Sequence, residues 1–233
     1  MKSSNKNNNN SEELLCGIDE AGRGPVIGPM VICGVCFTKL NVSYLKKIGV
    51  RDSKKLSQKR RSELATLIKE KCHSYEAIVI SAKEIDERER NRITLNRLEE
   101  LKIARILNKL KPDTIYLDAA DVNEQRFGKS VKKLLVYEPK EIISKHKADD
   151  IYPIVSAGAI VAKDKRDTLI EELKKKYGDL GSGYPSDKKT TDFIREWVKK
   201  HNQAPPFARK TWETTKKILN EELSNKKITD YFN

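Results

Sequence analysis

Leu14-Leu15-Cys16-Gly17-Ile18-Asp19-Glu20-Ala21-Gly22-Arg23-Gly24-Pro25 is the stretch from which the rest of the chain is read. Its apolar run, Leu14–Ile18, predicts a strand over Leu14–Asp19. The strand ends in two adjacent carboxylates, and a glycine-rich turn carrying one arginine follows. A strand end holds carboxylates rigidly, and glycines let backbone N–H groups approach a ligand closely. Carboxylates suit a hard divalent cation, whereas an arginine and N–H groups suit a phosphate or a hydroxyl. Metal and phosphate handles side by side point to phosphodiester chemistry. In a straight strand Asp19 and Glu20 face opposite ways. Both serve one site only if the chain bends at Glu20, and Gly22 and Gly24 make that bend feasible.

Outward from the turn, Met30–Phe37, Tyr75–Ser81, Thr114–Leu117 and Glu141–Ser144 read as further strands. Ser57 predicts the N-cap of a helix over 58–71. Thr94 opens a helix whose Leu95, Leu98, Leu101, Ile103 and Leu107 form a stripe to about Leu110, and Pro112 stops it. Helices are also expected over 124–135, 152–176, 189–200 and 209–223. Small residues at Ser156–Ala162 predict close packing of the long helix on the sheet. This order predicts an α/β chain with a mixed five-stranded sheet flanked by helices and a C-terminal helical region.

Acidic residues recur where apolar strands end: Asp19 with Glu20, then Asp118, then Asp149 with Asp150. Sites gather at strand ends in α/β sheets. Two cations about 4 Å apart need several carboxylates and serve both sides of an in-line phosphoryl displacement. The bland alternative is solvated loop acids, which is the stronger reading for Asp118 taken alone. Other site classes fit less well. No Gly-Lys-Ser/Thr follows the turn, no G-x-G-x-x-G opens a helix, and no Gly-x-Ser-x-Gly elbow exists. His73, His146 and His201 are too few and too scattered for histidine catalysis. Cys33 and Cys36 form a C-x-x-C, but three residues apart on a strand they point to opposite faces. With Cys16 and Cys72 they read as reduced thiols, not a zinc site.

Lys and Arg number 47 against 34 Asp and Glu, a net charge of +13 that favours a polyanionic partner, nucleic acid first. No segment approaches the roughly 20 apolar residues of a membrane span. The polar, asparagine-rich residues 1–11 lack a signal-peptide core. They read as a disordered lead, and the protein as intracellular and cytoplasmic.

Four strings taken together resemble the ribonuclease HII family: Asp19-Glu20-Ala21-Gly22-Arg23-Gly24-Pro25, Asp52-Ser53-Lys54-Lys55-Leu56, Ser156–Lys163 with Arg166-Asp167, and Gly181-Ser182-Gly183-Tyr184-Pro185-Ser186-Asp187. The resemblance covers about Leu14–Leu219, and the Arg209-Lys210-Thr211-Trp212 helix looks like the archaeal type. It implies a ribonuclease-H-like catalytic domain over 12–180 and a helical substrate-binding region over 181–223. It implies cleavage of the RNA strand of RNA–DNA hybrids, and incision 5′ of ribonucleotides embedded in duplex DNA, by a monomer with Mg²⁺ or Mn²⁺. By resemblance, the catalytic and metal-binding acids fall on Asp19, Glu20, Asp118 and Asp149, with Asp150 the weaker candidate. The hydroxyl-sensing turn falls on Gly22, Arg23 and Gly24, the junction-reading ring on Tyr184, and phosphate contacts on Lys163 and Arg166. Gly158-Ala159 departs from the family's usual Ala-Ser, and a helix glycine costs up to ~1 kcal/mol. Lys188 stands where a proline is usual.

The physics of the substrate is compatible. The 2′-hydroxyl that separates RNA from DNA both donates and accepts hydrogen bonds, and N–H groups at Gly22–Gly24 can reach it in a shallow minor groove. Lys174–Lys176, Lys199-Lys200, Arg209-Lys210 and Lys216-Lys217 are expected phosphate anchors. Residues 224–233 read as a flexible tail in which Ile228, Tyr231 and Phe232, with Asn225 where glutamine is usual, resemble a peptide that binds the DNA sliding clamp. Two rival readings share these features. A non-catalytic duplex binder would show no turnover with Mg²⁺, and a fold-related DNA nuclease would cut without any ribonucleotide.

Overall fold

A computed structural model describes residues 13–50 and 56–232, with side chains described to position 224. The polar lead at 1–11, Asp52–Lys55 of the second string, and the side chains of Ile228, Tyr231 and Phe232 lie outside the described residues. Among the described residues five strands and nine helices follow in order. These are β1 (Leu14–Ala21), β2 (Met30–Thr38), α1 (Tyr44–Lys47), α2 (Gln58–Lys71), β3 (Ser74–Ile80), α3 (Ala82–Arg90) and α4 (Leu95–Leu110). Then come β4 (Thr114–Asp118), α5 (Glu124–Lys132), β5 (Glu141–Lys145), α6 (Ala148–Ile151), α7 (Pro153–Tyr177), α8 (Lys188–His201) and α9 (Glu213–Phe232). No helix among the described residues is long and apolar enough to cross a membrane.

The sheet is mixed, in the order β3-β2-β1-β4-β5. β1 pairs antiparallel with β2 and parallel with β4, and β4 pairs parallel with β5. β1 is therefore central and apolar on both faces, as a strand covered on both sides must be. The ladder to β2 runs unbroken to Ala21↔Val31. The chain turns two residues beyond the expected Glu20, at Gly22, whose φ is +82°, and the Glu20 charge still acts on Asp19.

Ser57 caps α2 by accepting from the Arg60 N–H at 3.2 Å, as its sequence position predicts. α3 escaped the sequence because its run AKEIDERER buries only Ala82 and Ile85, too little for an apolar stripe; the Ser81 side chain caps it. The helix expected over 209–223 starts later and ends later, at Glu213–Phe232. Arg209–Trp212 form an irregular segment instead, and the tail backbone is helical to Phe232.

The chain divides into two compact units. The first takes the chain up to Ala21, Val31–Ile78 and Asn96–Lys165. Its small-residue helix lies against the strands backbone to backbone: a Cβ on Gly158 would sit 3.1 Å from the carbonyl oxygens of both Gly17 and Cys33. Gly158 is thus a contact point of α7 with β1 and β2, not the weak spot its helix propensity suggests. The second unit takes Gly22–Met30, Val79–Leu95 and the chain from Arg166, which includes the region expected over 181–223. Its core joins Val26, Ile27, Leu180, Ile194, Val198, Phe207 and Ile218, with Tyr177 against Phe207 at 4.5 Å between ring centres.

Candidate carboxylate and nucleic-acid sites

In the first unit the parallel register pairs Ile18 with Leu117. One step further along both strands places Asp19 beside Asp118. Asp118 Oδ1 accepts from the Ala148 N–H at 2.8 Å. Lys147, in the left-handed region at φ 54°, turns the chain into α6 just before this contact. Asp149 follows Ala148 and is buried, and its carbonyl accepts from the Ser156 hydroxyl of α7. The first turn of α6 is thereby held on both sides of Asp149, which is placed by contacts rather than by helix propensity. Asp150, its neighbour, is exposed.

Asp19 is 6% exposed. Burial pushes its carboxyl well above the usual range, and the charges of Glu20, Asp118 and Asp149 push it further, while the Glu20 N–H, donating at 2.7 Å, opposes. The four expected acids therefore share one electrostatic neighbourhood. Among the described residues no three His, Cys, Asp or Glu side chains converge into a ready metal cage. The donor set nonetheless fits a hard cation in kind: oxygen ligands only, two of them, Asp19 and Asp149, buried, in a cluster whose mutual repulsion a divalent charge would relieve. Lys163 lies on α7 in this same unit.

The thiols behave as read. Cys16, Cys33 and Cys36 are buried and unbridged, and burial raises Cys16 and Cys33 far from the thiolate form that a metal would need. The His146 ring lies with Nε2 3.3 Å from the Val122 carbonyl, and its backbone N–H donates to Glu124 at 3.0 Å.

In the second unit the turn is built on arginines. A Cβ at Gly22 would meet Arg166 Nε at 2.3 Å, so only glycine fits over that side chain. Arg166 is 8% exposed, and its Nε and Nη2 are buried without hydrogen-bond partners. Tyr184 is 44% exposed, and its Cε1 would lie 3.7 Å from a Cβ on Gly24. Gly22 lies against Arg166, and Gly24 against Tyr184. The Tyr184 loop is tied down: the Val26 N–H donates to the Gly183 carbonyl at 2.8 Å, the Gly183 N–H to Thr190 Oγ1 at 2.9 Å, and the Ser182 N–H to Asp187 at 2.6 Å.

Arg209 corrects the sequence reading. Expected on a helix as a phosphate anchor, it is 0% exposed. Its guanidinium donates to the carbonyls of Arg23 at 2.7 Å, of Gly28 at 3.2 Å and of Gly22. Burial lowers its pKa to about 9, with Arg166 adding to the effect and Asp86 opposing it. The guanidinium groups of Arg88 and Arg209 lie 5.0 and 4.9 Å from the Trp212 ring centre. Asp86 accepts from the Lys210 and Thr211 N–H groups at 2.9 and 3.0 Å. Nothing local in sequence signalled this arrangement, since Asp86 lies on the unforeseen α3. The other basic runs are partly committed to acids: Lys174 to Glu171, Lys199 to Glu222, Lys216 to Glu89 and Lys217 to Glu221.

Comparison with known proteins agrees with the motif reading. The family described as Ribonuclease HII matches residues 16–215. Ribonuclease HII of Thermococcus onnurineus is 50% identical over 206 residues, covering 88% of this chain and 89% of the relative. The crystal structure of ribonuclease H2 from Pyrococcus horikoshii superposes with a TM-score of 0.85 at 44% identity, covering 90% of this chain and 99% of that one. The ribonuclease HII of Archaeoglobus fulgidus, solved as a PCNA complex, gives 0.78 at 40% identity, covering 86% and 95%.

Proposed function

The chain belongs to the ribonuclease HII family, type II ribonuclease H endonucleases acting on the RNA strand of RNA–DNA hybrids, and from that membership we propose a metal-dependent enzyme that also incises 5′ of single ribonucleotides in duplex DNA. The observation that carries the metal dependence is the gathering of the acids at adjoining strand ends, with Asp118 beside Asp19 and bonded to the Ala148 amide next to Asp149; burial first, and then the charges of Glu20, Asp118 and Asp149, push the Asp19 carboxyl upward. The mutual repulsion among these carboxylates is what a divalent cation would relieve.

In this reading Asp19, Glu20, Asp118 and Asp149 hold Mg²⁺ or Mn²⁺. When bound, the cation acidifies the attacking water and stabilises charge on the phosphoryl oxygens and the departing 3′-oxygen. Asp118 orients Asp149 through the Ala148 N–H. Gly22, Arg23 and Gly24 meet the 2′-hydroxyl, Tyr184 stacks at the RNA–DNA junction, and Lys163 and Arg166 favour the phosphates electrostatically. Ala21 alone separates Glu20 from Gly22 in the chain. The tail residues Ile228, Tyr231 and Phe232, spaced as one helical turn, dock on a DNA sliding clamp; the Archaeoglobus relative in its PCNA complex supports this partner.

The test is cleavage of a labelled DNA duplex carrying one ribonucleotide, with and without Mg²⁺, beside an all-DNA control. Mg²⁺-dependent incision 5′ of the ribonucleotide alone is expected. Cutting of the all-DNA duplex, or cutting in EDTA, would overturn the reading.

A further inference from the structure

The carbonyls of the Gly22-Arg23-Gly24 turn all have donors from one short segment of the second unit. Arg209 donates to the Gly22 and Arg23 carbonyls, and Trp212 Nε1 donates to the Gly24 carbonyl at 3.3 Å. A third guanidinium nitrogen, Nε, holds the Gly28 carbonyl where the turn ends. The segment is itself fastened. The Arg209 N–H donates to the Val26 carbonyl at 2.8 Å, Ile27 bridges Ala208, and Asp86 holds the amides of Lys210 and Thr211.

This arrangement has a geometric consequence. In a planar trans peptide the C=O and the following N–H point in opposite directions. Carbonyls of Gly22 and Arg23 drawn towards Arg209 therefore turn the N–H groups of Arg23 and Gly24 the other way. The third peptide ends in Pro25, which has no N–H. One face of the turn is all carbonyl, and the opposite face carries two amide donors. A guanidinium suits the carbonyl face because its planar fork addresses several acceptors at once, which an ammonium cannot do.

We propose that Arg209 and Trp212 are positioning residues for ribose recognition: Arg209 holds the Gly22 and Arg23 carbonyls and so sets the two peptide planes whose Arg23 and Gly24 N–H groups meet the 2′-hydroxyl, and Trp212 holds the Gly24 carbonyl and so anchors the residue that carries the second of those N–H groups. This rests on the reading of Gly22–Gly24 as the hydroxyl-sensing turn. Arg209 touches no substrate atom in this role, and its substitution acts through the backbone it holds.

The experiment is equilibrium binding in EDTA, by fluorescence anisotropy, of two duplexes that differ only in one 2′-hydroxyl. Wild type, Arg209→Lys and Trp212→Phe are compared, with thermal melts of each. Wild type is expected to prefer the ribonucleotide duplex. Each variant should lose about fivefold of that preference, the size of one net hydrogen bond, while keeping its affinity for the all-DNA duplex and a melting temperature within a few degrees. A purely structural role would lower the melting temperature or weaken both duplexes equally, and would overturn the proposal. If wild type shows the preference and both variants keep it, the positioning role is wrong while the turn reading stands. If wild type shows no preference, the turn reading itself falls. Should Arg209→Lys fail to fold, Trp212→Phe decides alone, since it removes one exposed-side donor and keeps a ring.

Discussion

The Asp118 carboxylate accepts its hydrogen bond from the amide of Ala148, 30 positions away and one residue before Asp149. One carboxylate thus caps the short helix that carries the next. Asp118→Asn keeps an oxygen for that amide and removes the charge. Turnover with Mg²⁺ should fall below detection, with the melting temperature unchanged and hybrid binding equal or tighter, because a negative charge beside phosphates is gone. Asp118→Ala should in addition cost about 1 kcal/mol of stability through the lost acceptor. Cleavage by the asparagine variant at near wild-type rate would remove Asp118 from the site.

Gly22 permits no side chain. With φ at +82° and Arg166 filling the space a Cβ would take, Gly22→Ala should destabilise the protein by about 1–3 kcal/mol. It should also reduce cleavage at a single ribonucleotide more than tenfold at temperatures where it remains folded. Denaturant melts and initial rates measure both, and an alanine variant with wild-type stability would show that Arg166 yields easily.

Tyr184 stands exposed beside Gly24. Stacking on a base or sugar is worth about 1–3 kcal/mol by alanine substitution. Tyr184→Ala should slow cleavage at single ribonucleotides by one to two orders of magnitude, and Tyr184→Phe should retain most of the rate. Equal rates for wild type and alanine variant would return Tyr184 to an ordinary loop residue.

Asp187 ties the Tyr184 loop to α8. Hydrogen bonds from Ser182, first its N–H, hold its carboxyl below the usual range, and the Lys189 N–H at 3.0 Å adds to this. A carboxyl lowered by folding contributes stability that is present above its unfolded pKa of about 4 and lost as pH falls through its folded value. Glu13, Asp113, Asp121, Glu124 and Asp179 are lowered likewise. The melting temperature should decline below about pH 4. In Asp187→Asn the decline should be shallower. A variant curve parallel to wild type at every pH would show that Asp187 contributes nothing through its charge.

Removal of residues 225–233 tests the tail. Among the described side chains the last buried core residue of α9 is Ile218, and the truncated chain should melt within a few degrees of wild type and cut a short oligonucleotide normally. Binding to the host's sliding clamp should vanish, and should vanish equally in Tyr231→Ala with Phe232→Ala. A large drop in melting temperature would mean that the tail packs on its own enzyme.

By itself the sequence determined the sheet, the strand-end acids and the family. Apolar runs of strand length ending in Asp19-Glu20 and Asp118 are local patterns, and local patterns survive in any correct fold. The capped helix after Ser57 and the small-residue face of α7 were legible for the same reason. What no local pattern carries is a partnership across the chain. Arg209 and Gly22 stand 187 positions apart, and a basic residue among Lys210, Thr211 and Trp212 looks like a surface anchor until burial turns it inward. Asp149 was distinguished from Asp150 by resemblance, whereas its burial rests on Asp118 and Ser156. Tertiary structure alone decided which charges face solvent and which hold backbone, because desolvation and hydrogen-bond satisfaction exist only once distant segments meet.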